Sequence, residues 1–109
     1  MMMVLFNTEL RPDADAAEYQ QAGERMYDLV SRMPGFISVK RYSAADGESF
    51  TMVKFESEEA LDAWRRHPEH LAMQTRGREQ FYQRYWVLVC KPVREYEWSY
   101  TEPWRSSVT

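Results

Sequence analysis

One cysteine, four glycines and five prolines in 109 residues rule out the classes that depend on those residues. Cys90 stands alone inside an apolar run, so no internal disulfide can form and the thiol reads as a small buried hydrophobe. There is too little Gly and Pro for a collagenous or low-complexity chain. A basic excess is also missing. The chain carries 14 Lys and Arg against 17 Asp and Glu, a formal net charge of −3, and the arginines are dispersed, which argues against a nucleic-acid partner. No apolar stretch approaches the ~20 residues needed to span a bilayer. The run from Met1 to Phe6 is far shorter than a signal-peptide core with its cleavage site. No membrane partner and a cytoplasmic location are therefore expected.

What is present is 44% hydrophobic residues and an unusual number of large rings: 5 Phe, 7 Tyr and 4 Trp. A chain of 13.1 kDa makes one domain, burying about two thirds of its unfolded surface. That is a modest core for so many aromatics, and half of them fall between Phe81 and Trp104.

The elements can be read in order. Residues Met2 to Leu10 alternate loosely and end at Arg11-Pro12-Asp13, a strand and a turn. Tyr19, Ala22, Met26, Leu29, Val30 and Met33 recur at three- and four-residue steps; Asp13 or Asp15 can cap this helix and Pro34-Gly35 stops it. Phe36–Ser43 and Ser49–Glu56 are strand-like and joined through Asp46-Gly47, which suits a tight hairpin. Ser57-Glu58-Glu59 caps a second helical region. His67-Pro68 divides it into pieces of about 57–66 and 68–81. Tyr85 to Cys90 is a last, wholly apolar strand, and Lys91 to Trp98 is expected to extend it.

The resulting β-α-β-β-α-β order is the ferredoxin-like α+β pattern, an antiparallel sheet with helices on one face. The last strand is apolar on both faces, where a half-covered sheet should alternate. No element remains to cover the second face, so a second copy is expected there, making a homodimer with sheets face to face, a dimeric α+β barrel. The domain is expected over residues 1–98. The tail, 99–109, should dock through Trp98, Tyr100 and Trp104 on the domain or its partner subunit.

Candidate chemistry gathers on the second helical region. At 100° per residue with Leu71 as origin, Phe81, Tyr82 and Trp64 fall within about 80° and define an inward stripe. Gln74, Thr75, Arg78 and His67 lie within about 60° of the same origin, and His70 about 100° away. Polar groups interleaved with Trp and Phe cost free energy unless they are paired or face a polar cavity. A cavity is therefore expected here. His67 and His70 are three residues apart with a proline between, unlike the helical His-Glu-x-x-His spacing, and no third ligand is evident, so no metal is expected. No glycine elbow, phosphate loop or dinucleotide fingerprint occurs.

The stretches Met33-Pro34-Gly35-Phe36 and Trp64-Arg65-Arg66-His67-Pro68-Glu69-His70-Leu71, with Gln74, Gly77-Arg78, Phe81-Tyr82, Tyr85 and Val93-Arg94-Glu95-Tyr96, resemble the antibiotic biosynthesis monooxygenase family over nearly the whole domain. The resemblance is closest to its stand-alone bacterial members, and it implies the dimeric barrel reached above. Cofactor-independent quinone-forming monooxygenases, haem-degrading enzymes and members without a known reaction all share the pattern. Asn7 and Trp64 match the haem branch in kind. Its iron-ligating histidine does not: Met73 and Gln74 stand where that branch places it.

The resemblance thus implies a monooxygenase needing no cofactor, with haem binding as the alternative and a non-catalytic ligand-binding barrel as a third reading. An electron-rich phenol can reduce oxygen itself once deprotonated, so the protein must supply a dry aromatic pocket, a base and donors near the developing anion. His67 or His70 would be the base. Arg78, Asn7 and Gln74 would stabilise negative charge, and Trp64, Phe81 and Tyr82 would stack on a small aromatic substrate.

Overall fold

A computed structural model describes residues 1–100; the contact expected of Trp104 lies outside the described residues. The elements are β1 (Met2–Leu10), α1 (Ala16–Ser31), β2 (Phe36–Ser43), β3 (Ser49–Phe55), α2 (Glu58–Arg65), α3 (Pro68–Arg76), a π-helical turn (Gly77–Phe81) and β4 (Tyr82–Cys90). The strands form one antiparallel sheet in the order β2-β3-β1-β4, the ferredoxin-like topology expected of the sequence. No helix among the described residues is long and apolar enough to cross a membrane.

Local chemistry sets the boundaries. Of the two candidate caps of α1, Asp15 does the work, its carboxylate accepting from the Glu18 N–H at 3.0 Å. Ser57 caps α2 in the same way, accepting from Ala60 N–H at 3.1 Å. Gly35 ends the turn after α1 with φ +81°, a conformation other residues adopt only under strain. A Cβ there would also lie 2.6 Å from that of Ala60, so this glycine permits the close approach of α2. The hairpin between β2 and β3 is wider than a two-residue turn. Ala44 N–H bonds the Glu48 carbonyl, and Gly47 alone takes positive φ.

The helices cover one face of the sheet. Met2, Val30, Phe55, Ala60, Leu61 and Trp64 form the core cluster between α1, α2 and the strands. Alternation sends Val4 and Phe6 toward the helices and Leu5 and Asn7 to the far face. On that far face Leu5 pairs with Leu88 and Met52, and Asn7 with Trp86 and Phe50. Trp86 and Leu88 are exposed there, and no helix among the described residues covers them.

One expectation needs correction. Residues 91–98 do not extend the last strand, which starts three positions earlier than expected, at Tyr82, and stops at Cys90. Cys90 pairs with Met3 near the start of β1, so beyond it the chain soon runs out of partner backbone, and Pro92 lacks the N–H that a ladder would need. The helical stretch expected over 68–81 is present, α-helical to Arg76 and π-helical from Gly77 to Phe81.

Candidate active site

A cavity of about 260 Å³ lies between the helix-facing side of the sheet and the three helices. Val4, Phe6, Val39, Val53, Val87 and Val89 floor it from the strands, while Met26, Val30, Leu61, Trp64 and Met73 wall it from the helices. Its polar groups are Tyr19, Tyr27, Tyr82, Tyr85, Arg41, Arg65, Thr51, His70 and Gln74. An apolar hollow with a few converging polar groups is the usual form of a small-molecule site.

His70 rises from the first turn of α3, and its ring stacks on Trp64 with centroids 4.5 Å apart and planes at 29°. Trp64 is itself buried, so the imidazole lies against a fixed surface. Burial pushes the His70 pKa below its ordinary value of 6.5. The nearby backbone of Arg65 works in the opposite direction, and His67 adds to the lowering. Nδ1 is buried without a hydrogen-bond partner, so the ring is oriented mainly by stacking. The outcome is a neutral imidazole at neutral pH, a form able to accept a proton.

Tyr19 and Tyr82 meet at the other end of the cavity, with ring centroids 6.1 Å apart and nearly perpendicular. Burial raises the pKa of both, and for Tyr82 the neighbouring Tyr19 raises it further. Both therefore stay protonated phenols. Tyr82 is placed by the π turn. Arg11 grips the turn from outside, its Nε donating to the Tyr82 carbonyl at 3.0 Å, one terminal nitrogen to Glu79 at 2.7 Å and the other to Arg78. These are carbonyls that a helix end leaves without intrahelical partners. Gly77 is needed because the Tyr82 ring occupies the space that a Cβ would fill.

Of the residues singled out in the sequence, His70, Trp64, Gln74 and Tyr82 line the cavity together. Four others lie elsewhere. His67 caps α3, its Nδ1 accepting from the Glu69 N–H at 3.1 Å. Arg78 lies outside the wall and donates to the Tyr85 hydroxyl at 3.2 Å. Phe81 is 1% exposed and packs edge-on against Tyr19 at 5.3 Å. Asn7 is buried on the far sheet face with its amide nitrogen unpartnered. The wheel's origin explains part of this: Leu71 is exposed, and α3 presents His70, Met73 and Gln74, an arc rotated by roughly 100°. Tyr19, Arg41 and Tyr85 were missed. Arg41 follows Val39 by two positions and so shares its inward face, a signal that alternation along β2 could have supplied. Among the described residues no group of three His, Cys, Asp or Glu could hold a metal ion.

Residues 1–76 match the sequence model of a family described as antibiotic biosynthesis monooxygenase. The uncharacterised protein YqjZ of Bacillus subtilis is 38% identical over 77 residues, covering 71% of this chain and 68% of that protein. Among solved structures, Rv0793 from Mycobacterium tuberculosis superposes with a TM-score of 0.77 at 26% identity, over 88% of this chain and 98% of its own. SnoaB, a cofactor-independent oxygenase from Streptomyces nogalater, gives a TM-score of 0.73 at 14% identity over 86% and 94% of the two chains, a likeness of fold alone.

Proposed function

This chain belongs to the antibiotic biosynthesis monooxygenase family, and on that premise we propose that it is a cofactor-independent monooxygenase acting on a small phenolic or quinol-like aromatic. The observation that carries the reading is His70, kept neutral by burial, stacked on Trp64 and opening on an apolar cavity. The oxygenase activity of SnoaB, which shares the fold, supports the same class of reaction.

In this mechanism His70 accepts the proton of a phenol or of an acidic ring CH₂. The substrate anion gives one electron to oxygen, and the two radicals combine into a peroxide at the ring carbon. Loss of water from the peroxide leaves a carbonyl, so that CH₂ and O₂ become C=O and H₂O. The electrons come from the substrate. The protein lowers the barrier by proton transfer and by hydrogen-bond donors placed where negative charge develops. Tyr82, held as a phenol, is such a donor, and Trp64 offers a face for the ring.

The side chains suit haem poorly. Asn7 points away from the cavity, His67 is committed to the α3 cap, and the His70 ring is packed flat on Trp64.

The test is oxygen uptake by metal- and flavin-free protein with anthrone or 1-naphthol, followed with quinone absorbance. Catalysed uptake with quinone formation is expected; uptake equal to the protein-free control overturns the reading. In a parallel hemin titration a Soret shift that fades with reductant would favour haem degradation instead.

A homodimer through the far sheet face is part of the proposal. Leu5, Phe50, Met52, Trp86 and Leu88 form an apolar surface that water should not cover, and a second copy offers the same surface in return. Sedimentation should give about twice 13.1 kDa for the native protein and a monomer mass for Leu88→Glu. A native mass near that of one chain refutes the dimer.

A further inference from the structure

The charges around the cavity are one-sided. Its lining includes two guanidinium groups, from Arg41 and Arg65, and no carboxylate. Arg65 is neutralised by Asp62 at 3.4 Å. Arg41 has no ion pair or side-chain hydrogen bond among the described residues, although seven ion pairs engage other arginines of this chain. Its guanidinium lies 6.0 Å from the centre of the Tyr19 ring.

A second feature makes room for it. Gly23 sits in the middle of α1, where glycine weakens a helix relative to alanine. A Cβ at that position would be 3.1 Å from Nη2 of Arg41, tighter than ordinary packing. The missing side chain thus lets the guanidinium lie across the helix at the cavity wall. Beside it are the Tyr19 and Tyr82 hydroxyls. Burial keeps both protonated, so Tyr19 carries an O–H that can donate to a ligand anion.

We propose that Arg41 and Tyr19 form a carboxylate subsite, so that the cavity takes an aromatic acid with its ring toward Trp64 and its carboxylate toward β2. The planar guanidinium fork matches a carboxylate with two parallel hydrogen bonds, which an ester or amide cannot reproduce. The small cavity suits one or two fused rings. The inference rests on the proposed function only in placing substrate in this cavity. It adds a fixed negative charge, separate from the phenol that reacts.

Calorimetry with 6-hydroxy-2-naphthoate and its methyl ester tests it without turnover. The native protein should bind the acid about tenfold more tightly than the ester at low salt, the size expected of a charged hydrogen-bonded contact at a partly open site. Arg41→Met should remove that preference with an unchanged Tm, while Arg65→Met should keep it. Rising salt should narrow the gap between acid and ester. Equal binding of acid and ester by the native protein overturns the proposal, as does a preference that survives Arg41→Met or disappears in Arg65→Met. Oxygen uptake with no preference for the acid overturns the subsite and leaves the monooxygenase standing. A preference for the acid with no uptake from any phenol supports the subsite and overturns the monooxygenase.

Discussion

Replacing His70 with glutamine is expected to lower kcat/KM for the phenolic substrate by about 10²–10⁴-fold, the usual contribution of a positioned base. The direction of the pH dependence follows from the cavity. Burial depresses the His70 pKa, so the active neutral form persists to lower pH than an ordinary histidine would allow. The acid limb of the native profile should fall below pH 6.5, with the rate rising through it toward neutrality, and it should vanish in His70→Gln. His67→Ala is the contrasting variant. Its ring accepts a helix N–H and is absent from the cavity lining, so the rate should hold while stability drops by about 1 kcal/mol from loss of the cap. A reversal, with His67 controlling the rate and His70 only stability, would move the base to the other histidine.

Phe81→Ala should cost about 3–5 kcal/mol in urea unfolding, the range for truncating a fully buried aromatic. The ring is 1% exposed, sits edge-on to Tyr19 and lies beneath the Arg76 guanidinium at 5.1 Å. Removing it leaves a void behind Tyr19, which would be free to lean away from the cavity. Weaker binding should therefore accompany the loss of stability. The sequence suggested a different role, a ring stacked on substrate; an alanine variant that binds weakly yet unfolds at the native midpoint would restore that role.

The contrast between these residues shows how far pattern reading reaches. Strand alternation, Ser57, Pro68 and the Pro34-Gly35 stop were enough to place nearly every element, because caps and breakers act within a few residues of themselves. Trp64, His70, Gln74 and Tyr82 emerged as a group for a similar reason, lying close together in the chain. Phase was lost where geometry departs from a straight α-helix. Pro68 starts a new axis, and the π turn adds its own rotation before Phe81 and Tyr82. Alternation along β2 turns Arg41 inward with Val39, but its partners are hidden by distance: it meets Tyr19 and Gly23 only after β2 packs beneath α1, and nothing near position 41 indicates a glycine at 23. Lys91 to Trp98 failed as a strand because pairing depends on how much of β1 is left, which is a property of register.

The pairing of first strand with last also sets when the site comes into being. Leu10 meets Tyr82 and Met3 meets Cys90, separations of 72 and 87 residues, among the longest closures this chain could make. Contacts so distant along the chain form slowly, since loop-closure entropy must be met before they return any stability. During synthesis α1, the β2–β3 hairpin and α2 can assemble while β4 is still inside the ribosome. The cavity has no Tyr82, Tyr85, Val87 or Val89 until then. A nascent chain without β4 thus carries His70 and Arg41 but no enclosure around them, and substrate binding should report on the arrival of β4 as much as on the integrity of the helices.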